Sequence, residues 1–77
     1  MKIPNQYKFR KLRKALKQKG IEWHQAKGKG SHGAFVGLVN GKSVVYTLPD
    51  SEQKEVKKIY LRDLIRRFEI KDKNLFT

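Results

Sequence analysis

The stretch SHGAFVGLVNGKSVVYTLP, residues 31–49, decides the fold of this chain. Two mostly apolar runs flank the dipeptide Asn40-Gly41, a pattern typical of a hairpin with a two-residue type I′ turn. The sequence therefore predicts one strand over residues 31–39 and a second over residues 43–48, which Pro49 ends.

The turn also predicts which side chains of the hairpin share a face. A two-residue loop pairs residue 39 with 42 and residue 37 with 44. We expect helices to cover the face with the larger groups, which are Phe35, Val39, Val44, Tyr46 and Leu48. The opposite face holds His32, Ala34, Val36, Leu38, Val45 and Thr47. Its apolar members indicate a protein-binding surface or a dimer interface, unless this strand is buried on both sides.

Upstream of the hairpin, the sequence predicts a helix over about residues 7–19. Phe9, Leu12 and Leu16 recur at helical spacing with Ala15 beside them, so one stripe of this helix is apolar. Asn5 is a candidate N-cap, and Gly20 suits the position just after the helix.

The fragment Ile21-Glu22-Trp23-His24-Gln25 alternates like a strand and predicts the first strand of the sheet. Ile21 and Trp23 join the core face only if the loop to the next strand has an odd number of residues, such as Gly28-Lys29-Gly30. In that register the open face holds Glu22, His24, Ala26 and His32. Trp23 and Tyr46 could stack against the bases of a nucleic acid, but their positions favour the core.

A second helix is expected after Pro49, beginning between residues 52 and 60. Asp50 and Gln53 resemble a capping box, and the apolar stripe consists of Val56, Ile59, Tyr60, Leu64, Ile65 and Phe68. Residues 71–77 are expected to form a flexible, frayed tail. The predicted fold class is α+β: one domain with its core over about residues 7–70, in the order α-β-β-β-α. Two helices cover one face of a three-stranded antiparallel sheet.

The composition limits the kinds of function that this chain can perform. Its 77 residues make one small domain, which has little room for a deep cavity around a small substrate. It has no cysteine, and therefore no disulfide or thiolate metal site. No run approaches the roughly 18 apolar residues of a membrane-spanning helix, and the first residues lack the apolar core of a signal peptide. We therefore expect a cytoplasmic protein without a membrane partner.

The charge of the chain favours a polyanionic partner. Nineteen basic residues face seven acidic ones, so the net charge is +12. Eight of the basic residues lie within residues 1–20, where there is no acidic residue. We expect the helix cations Lys8, Lys11 and Lys14 to bind nucleic acid. The alternative is an ordinary solvated lysine-rich helix face.

The segment Lys27-Gly28-Lys29-Gly30-Ser31-His32 joins the first two predicted strands. Together with the helix ending at Gly20, the Asn-Gly hairpin and Leu48-Pro49, it resembles the HicA-type mRNA interferase toxins of bacterial and archaeal toxin–antitoxin pairs. The resemblance covers about residues 9–70. It implies a fold similar to the double-stranded-RNA-binding domain. It also implies an endoribonuclease that cleaves mRNA without a metal or other cofactor, and a HicB-type antitoxin as partner.

The chain departs from the pattern of that family at three places. A histidine usually follows the strand-ending proline, where this chain has Asp50. The last helix usually opens with Gly-Thr, where this chain has Ile59-Tyr60, and it often ends in Ala-Gly-Ile, where this chain has Phe68-Glu69-Ile70.

The resemblance assigns the functional histidine to His32, and Gly30 and Ser31 match the rest of the motif. Cleavage of RNA through its own 2′-OH needs a proton acceptor, a proton donor and positive charge near the phosphate. His32 would act as general base or acid, and Ser31 would orient it or bind phosphate. Lys27 and Lys29 would hold phosphate, while Gly28 and Gly30 would let backbone N–H groups approach it.

His24 is a second candidate for proton transfer, and the alternative for both histidines is an ordinary exposed strand residue. Glu22 and the two histidines lack the spacing of a metal site, so we expect no metal. A non-catalytic RNA-binding module on the same scaffold is the main alternative function, followed by a structural ribosome-associated or DNA-binding protein. The protein is expected to form a homodimer or a toxin–antitoxin complex.

Overall fold

The computed structural model describes residues 2–25, 33–49 and 53–76. In chain order the elements are β1 (Gln6–Lys8), α1 (Phe9–Lys17), β2 (Glu22–Gln25), β3 (Gly33–Val39), β4 (Lys42–Leu48), β5 (Glu55–Lys57) and α2 (Lys58–Arg67). The strands β2, β3 and β4 form one antiparallel sheet in that order, and β1 pairs with β5 in a separate two-stranded sheet. The α+β class and the three-stranded antiparallel sheet are therefore confirmed.

The register of the β3–β4 hairpin agrees with the prediction from its turn. Val39 pairs with Lys42 and Gly37 with Val44, and both turn residues have positive φ, 52° at Asn40 and 80° at Gly41. Positive φ at both central positions is the signature of a type I′ turn.

The first hairpin has the predicted parity. Trp23 pairs with Phe35, and Gln25 pairs with Gly33, so seven residues, 26–32, separate the strands. The odd number places Ile21 and Trp23 on the same face as Phe35, while Glu22 and His24 lie on the other face. Ala26 and His32, also expected on that other face, lie outside the described residues.

Both helices pack against one face of the sheet and enclose a single core. Phe35 and Leu48 are buried between the sheet and helix residues such as Leu12, Leu16 and Leu64. Burying apolar side chains of this size contributes about 1.5–3 kcal/mol each, so this cluster supplies most of the stability. Neither helix is long and apolar enough to cross a membrane, within the residues that the structure describes.

The β1–β5 ribbon was not predicted from the sequence, and both helices begin directly after its strands. α2 begins at Lys58, within the predicted range of residues 52–60. Lys58 N–H donates to the carbonyl of Asn5 at 2.8 Å, and Phe9 N–H donates to the carbonyl of Lys54 at 3.0 Å. The first N–H of each helix is therefore satisfied by backbone across the ribbon. Neither helix has a side-chain cap at its N-cap, which is Lys8 for α1 and Lys57 for α2.

The predicted caps are therefore wrong. Asn5 precedes β1 and lies three residues before the N-cap Lys8. Gln53 lies four residues before the N-cap Lys57, so it cannot complete a capping box on α2, and Asp50 lies outside the described residues.

Residues 55–57 form a strand and not the first turn of α2, so the apolar stripe of α2 differs from the predicted one. Val56 is buried as a strand residue, and the buried helix positions are Leu61 and Leu64, with Phe68 at the helix end. Ile59, which the prediction placed on the stripe, is 61% exposed. The prediction treated Val56 as a helical residue and placed the apolar stripe of α2 accordingly. Because Val56 belongs to a strand, where side chains alternate every two residues, this placed the stripe on the wrong helix positions.

Both helices end in the same backbone motif. In α1, Ile21 N–H reaches the Leu16 carbonyl and Gly20 N–H the Lys17 carbonyl, with φ of 82° at Gly20. In α2, Ile70 and Glu69 make the matching bonds to the carbonyls of Ile65 and Arg66, with φ of 51° at Glu69. These are the two bonds of a Schellman motif, and the prediction for Gly20 is confirmed.

The C-terminal segment does not extend away from the domain as a frayed tail. Leu75 is buried, and the Phe76 ring meets the Tyr7 ring edge-on at 4.9 Å between centroids. Lys19 Nζ donates to Asp72 Oδ2 at 2.7 Å. That bond and the Asn74 N–H hold the pKa of Asp72 below its ordinary value. Residues 70–76 thus pack along α1 and β1, a contact that the local sequence could not indicate.

Replacing Glu69 by glycine is expected to stabilise the protein by about 1 kcal/mol, because glycine adopts positive φ without the Cβ penalty. The change also removes an acidic side chain from a helix C-terminus, where it is unfavourable. Chemical denaturation monitored by circular dichroism checks this. Gly20→Ala, at the equivalent position of α1, should destabilise by a similar amount. Equal stabilities for wild type and Glu69→Gly would contradict the prediction.

Candidate nucleic-acid interface

The outer surface of α1 is strongly basic. Arg10, Lys11, Arg13, Lys14 and Lys17 are all exposed, and the helix contains no acidic residue. Leu12 and Leu16 hold the opposite side of the helix in the core. An amphipathic helix of this kind presents its cations to solvent as a block, and such a block suits a polyanion. Lys8 and the predicted pair Lys11 and Lys14 lie on or next to this surface.

The basic surface borders several grooves, and two of them lie on opposite flanks of α1. On one flank of α1, Lys11, Lys14 and Lys19 line a groove whose far wall is the C-terminal segment with Asp72 and Leu75. On the other flank, Arg13 and Lys17 line a groove with Glu22 and Trp23 of β2. The sequence predicted a binding role for Lys11 and Lys14, and it did not predict one for Arg13 and Lys17. Their four-residue spacing places them together, but only the packing shows that they face β2.

An aromatic cluster joins α1 to the sheet. The Trp23 ring meets the Phe9 ring at 4.8 Å and the Phe35 ring at 4.8 Å, both edge-on. Edge-to-face pairs of this kind contribute about 0.5–1.5 kcal/mol each beyond their buried area. Trp23 is half-buried, and its Nε1 donates to Gln25 Oε1 at 3.3 Å. The interpretation of Trp23 as a packing residue agrees with these contacts.

The same indole explains the glycine at position 33. A Cβ on Gly33 would overlap Trp23 ring atoms Cζ2, Cη2 and Cε2. Position 33 must therefore lack a side chain if Trp23 is to lie across the start of β3. The φ of Gly33 is not in the left-handed region, so backbone conformation does not require glycine there. The requirement comes from the packing of the Trp23 ring.

The predicted catalytic motif lies outside the described residues: Lys27, Gly28, Lys29, Gly30, Ser31 and His32. The structure does describe the two residues that bound the motif segment. Gln25 and Gly33 are partners in the β2–β3 register, so the residues before and after this segment lie side by side at one end of the sheet.

His24 lies on the open face of the sheet, as predicted. Its Nε2 is 3.9 Å from Glu22 Oε2, and its side chain is 61% exposed. Ala34 is its partner across the strand pair. The His24 imidazole is therefore accessible from the open face of the sheet.

The open face also carries the predicted apolar patch. Leu38 is 73% exposed and Val45 is 50% exposed, while Ala34 and Val36 are half-buried. Val36 pairs directly with Val45. The described residues therefore leave an apolar patch uncovered on the sheet, which is typical of an interaction surface.

Tyr46 is a core residue in the structure. It is buried on the helix side of the sheet, and the Arg67 guanidinium carbon lies 5.7 Å from its ring centroid. Arg67 Nη1 also donates to the Val45 carbonyl at 3.4 Å. Burial, assisted by the negative charge of Asp63, raises the pKa of Tyr46 to about 12.

No group of three or more histidine, cysteine, aspartate or glutamate side chains is close enough to hold a metal ion, within residues 2–25, 33–49 and 53–76. The exposed acidic residues of α2 and the C-terminal segment lie among lysines and arginines, where ion pairs contribute little.

Comparison of the chain with protein-family models, with curated proteins and with solved structures found no match in any of the three.

Replacing Gly33 by alanine is expected to destabilise the protein by about 1–3 kcal/mol, because the new methyl group overlaps the Trp23 ring. Urea denaturation of the purified variant measures this loss. In the double variant Gly33→Ala with Trp23→Phe, the smaller ring leaves room for the methyl group. The two changes together should therefore cost less than the sum of the single changes. Strictly additive losses would show that the indole does not impose the glycine.

The raised pKa of Tyr46 predicts an alkaline limit to stability. The folded state favours the neutral phenol, so its contribution is complete below the ordinary pKa of 10.0 and is lost as pH rises toward about 12. The difference in 295 nm absorbance between wild type and Tyr46→Phe should titrate near pH 12 in native protein. In concentrated guanidinium chloride it should titrate near 10. A native midpoint near 10 would contradict the assignment.

Proposed function

We propose that this chain is an endoribonuclease that cleaves messenger RNA, and that it acts as the toxin of a type II toxin–antitoxin pair. The proposal rests on the resemblance of its sequence to the HicA-type toxins. It is supported by the α+β fold, by the basic helix α1 and by the hairpin register, which agree with what that resemblance implies. The finer likeness to the double-stranded-RNA-binding domain is part of the proposal.

The observation that carries the proposal is the position of Trp23. Its indole lies against Gly33, the residue that follows His32 in the sequence, and against Phe9, the first residue of α1. One side chain therefore links Gly33, which follows His32 in the sequence, to the start of the basic helix. A nuclease needs such an arrangement, because the group that transfers protons and the cations that hold the backbone must meet the same RNA.

The proposed reaction uses the nucleophile that RNA itself carries. The 2′-oxygen attacks the adjacent phosphorus as its proton passes to a base, and the bond from phosphorus to the 5′-oxygen breaks. The leaving 5′-oxygen takes a proton from an acid, which gives a 2′,3′-cyclic phosphate and a 5′-hydroxyl. No oxidant, metal or water is consumed in this step. Well-placed acid–base groups contribute about 10²–10⁴-fold each.

His32 is the proposed proton-transfer group, because an imidazole can take up and release a proton near neutral pH. Lys27 and Lys29 would stabilise the charge on phosphorus, with Gly28, Gly30 and Ser31 contributing hydrogen bonds. Exposed His24 is the proposed second group. Lys8, Lys11 and Lys14 would hold the flanking RNA through its phosphates.

The proposed protein partner is a HicB-type antitoxin, in a heteromeric complex rather than a homodimer. A second copy of the chain would also carry a net charge of +12, and the repulsion between the two copies disfavours self-association. An acidic partner with an apolar stripe would match both the basic helix and the exposed Leu38 and Val45. The cytoplasm, where mRNA is found, is the proposed location.

His32→Ala is expected to abolish cleavage of a long RNA in the presence of EDTA and to relieve growth arrest on expression. Binding of RNA and the circular dichroism spectrum should be unchanged. Gel electrophoresis of the digested RNA and colony counts measure the effect. His24→Ala, at the other histidine, is the matched control and should lower the cleavage rate less.

A fully active and fully toxic His32→Ala variant would exclude His32 as the catalytic group. Absence of cleavage by wild type, with RNA binding that weakens steeply as salt rises, would favour a non-catalytic RNA-binding module instead. The basic surface of α1 by itself is compatible with that second function.

A further inference from the structure

We infer that the groove between α1 and the edge of β2, lined by Arg13, Lys17, Glu22 and Trp23, holds the phosphate backbone of a single RNA strand. Arg13 and Lys17 are the positioning residues of this groove, which we call the α1–β2 groove. The inference rests on the proposed function, since it names the surface that would guide RNA toward the proposed catalytic segment.

Arg13 and Lys17 form a pair on one flank of α1. Residues four apart on a helix are neighbours, with about 5–6 Å between their Cβ atoms. Both side chains are exposed, while Leu12 and Leu16 next to them are buried. The pair is therefore anchored by a helix that cannot rotate without exposing its core side, and its two cations are available to one backbone.

The other wall of the groove belongs to an edge strand. β2 is the outer strand of the β2-β3-β4 sheet, so one side of its backbone has no strand neighbour in that sheet. The two-residue turn at Asn40-Gly41 makes Val39 and Lys42 a hydrogen-bonded pair. Hydrogen-bonded and non-hydrogen-bonded pairs alternate along antiparallel strands, so Phe35 bonds to β4 and its pair with Trp23 is not hydrogen-bonded. The N–H and C=O groups of Trp23 therefore point away from β3. A polar backbone edge beside two cations suits the sugar–phosphate chain of RNA.

Trp23 links this groove to the proposed reaction. It lines the groove, and its ring also lies over Gly33, the residue that follows His32 in the sequence. RNA held by Arg13 and Lys17 therefore passes the strand that leads into the Gly-Ser-His segment. Its half-buried ring also offers an aromatic surface next to the phosphates, a combination common in grooves for single strands.

The opposite flank of α1 is less suited to RNA. Its groove is closed by the C-terminal segment, where Asp72 already pairs with Lys19 at 2.7 Å. This ion pair engages Lys19, so one of the cations that line that groove is already bound to a carboxylate. Glu22 is the corresponding acid of the α1–β2 groove, and its carboxylate lies 3.9 Å from His24 Nε2, on the open side of the sheet.

Two double variants test the inference, because each removes two positive charges from α1. Arg13→Gln with Lys17→Gln changes the α1–β2 groove. Lys11→Gln with Lys14→Gln removes contacts that the proposed function gives to flanking RNA, and it is the comparison variant on the other flank. The probe is a fluorescein-labelled single-stranded RNA, and its anisotropy is titrated at several salt concentrations. The first double variant should bind at least about tenfold more weakly, with a salt slope shallower by about 1–1.5. The comparison variant should also bind more weakly, because it loses contacts to flanking RNA, but by less than about threefold.

Both variants are made at exposed positions, and equal circular dichroism spectra verify that they fold. The single variant Lys17→Gln, with an intermediate loss expected, provides a second measurement. Equal losses in the two double variants, or a greater loss in the comparison variant, would overturn the inference. Absence of RNA binding by wild type would overturn it as well.

Cleavage assays on the same proteins separate this inference from the proposed function. If wild type cleaves RNA through His32 but both double variants lose binding equally, the groove is wrong and the nuclease stands. If the α1–β2 groove variant alone loses binding but wild type does not cleave, the groove stands and the nuclease is wrong.

Discussion

The contact between the Trp23 indole and the backbone of Gly33 organises the part of the molecule that matters for function. A side chain at position 33 would occupy the space of the ring, so the start of β3 can approach β2 and α1 only as glycine. The same ring touches Phe9 and Phe35, and it thereby fixes the start of α1 against the middle of the sheet. Interiors are packed closely enough that such a contact transmits position from one element to the next.

The rest of the domain is built from two strand–helix units of the same design. β1 leads directly into α1, and β5 leads directly into α2. The two strands pair antiparallel. A backbone carbonyl beside each strand accepts a hydrogen bond from the first N–H of the helix in the other unit. Each helix then ends in a Schellman motif, with Gly20 in one and Glu69 in the other at positive φ. This reciprocity gives the short helices defined starting points without side-chain caps.

The chain has a net charge of +12, and the tertiary structure decides which way the cations of α1 face. The core side of α1 is held by the sheet, and the C-terminal segment closes one flank with Asp72 and Leu75. The cations on the remaining flank face the β2 edge, and β2 continues into residues 26–32, which contain Lys27, Lys29 and His32. A uniform basic surface would attract RNA in any orientation, whereas a flanked one favours a particular path.

The sequence by itself determined the sheet parity and the core side of α1. Asn40-Gly41 tolerates positive φ at both positions, and the resulting turn sets every pairing between β3 and β4. Helical spacing of Leu12 and Leu16 likewise predicted the buried side of α1. These features follow from chemistry within a few residues. Only the tertiary structure decided the β1–β5 ribbon, the docking of Leu75 and the flank of α1 that meets β2. Each of them depends on backbone or side-chain partners about fifty or more positions away, or on which side of a helix packs against a particular strand, and no local pattern records such a partner.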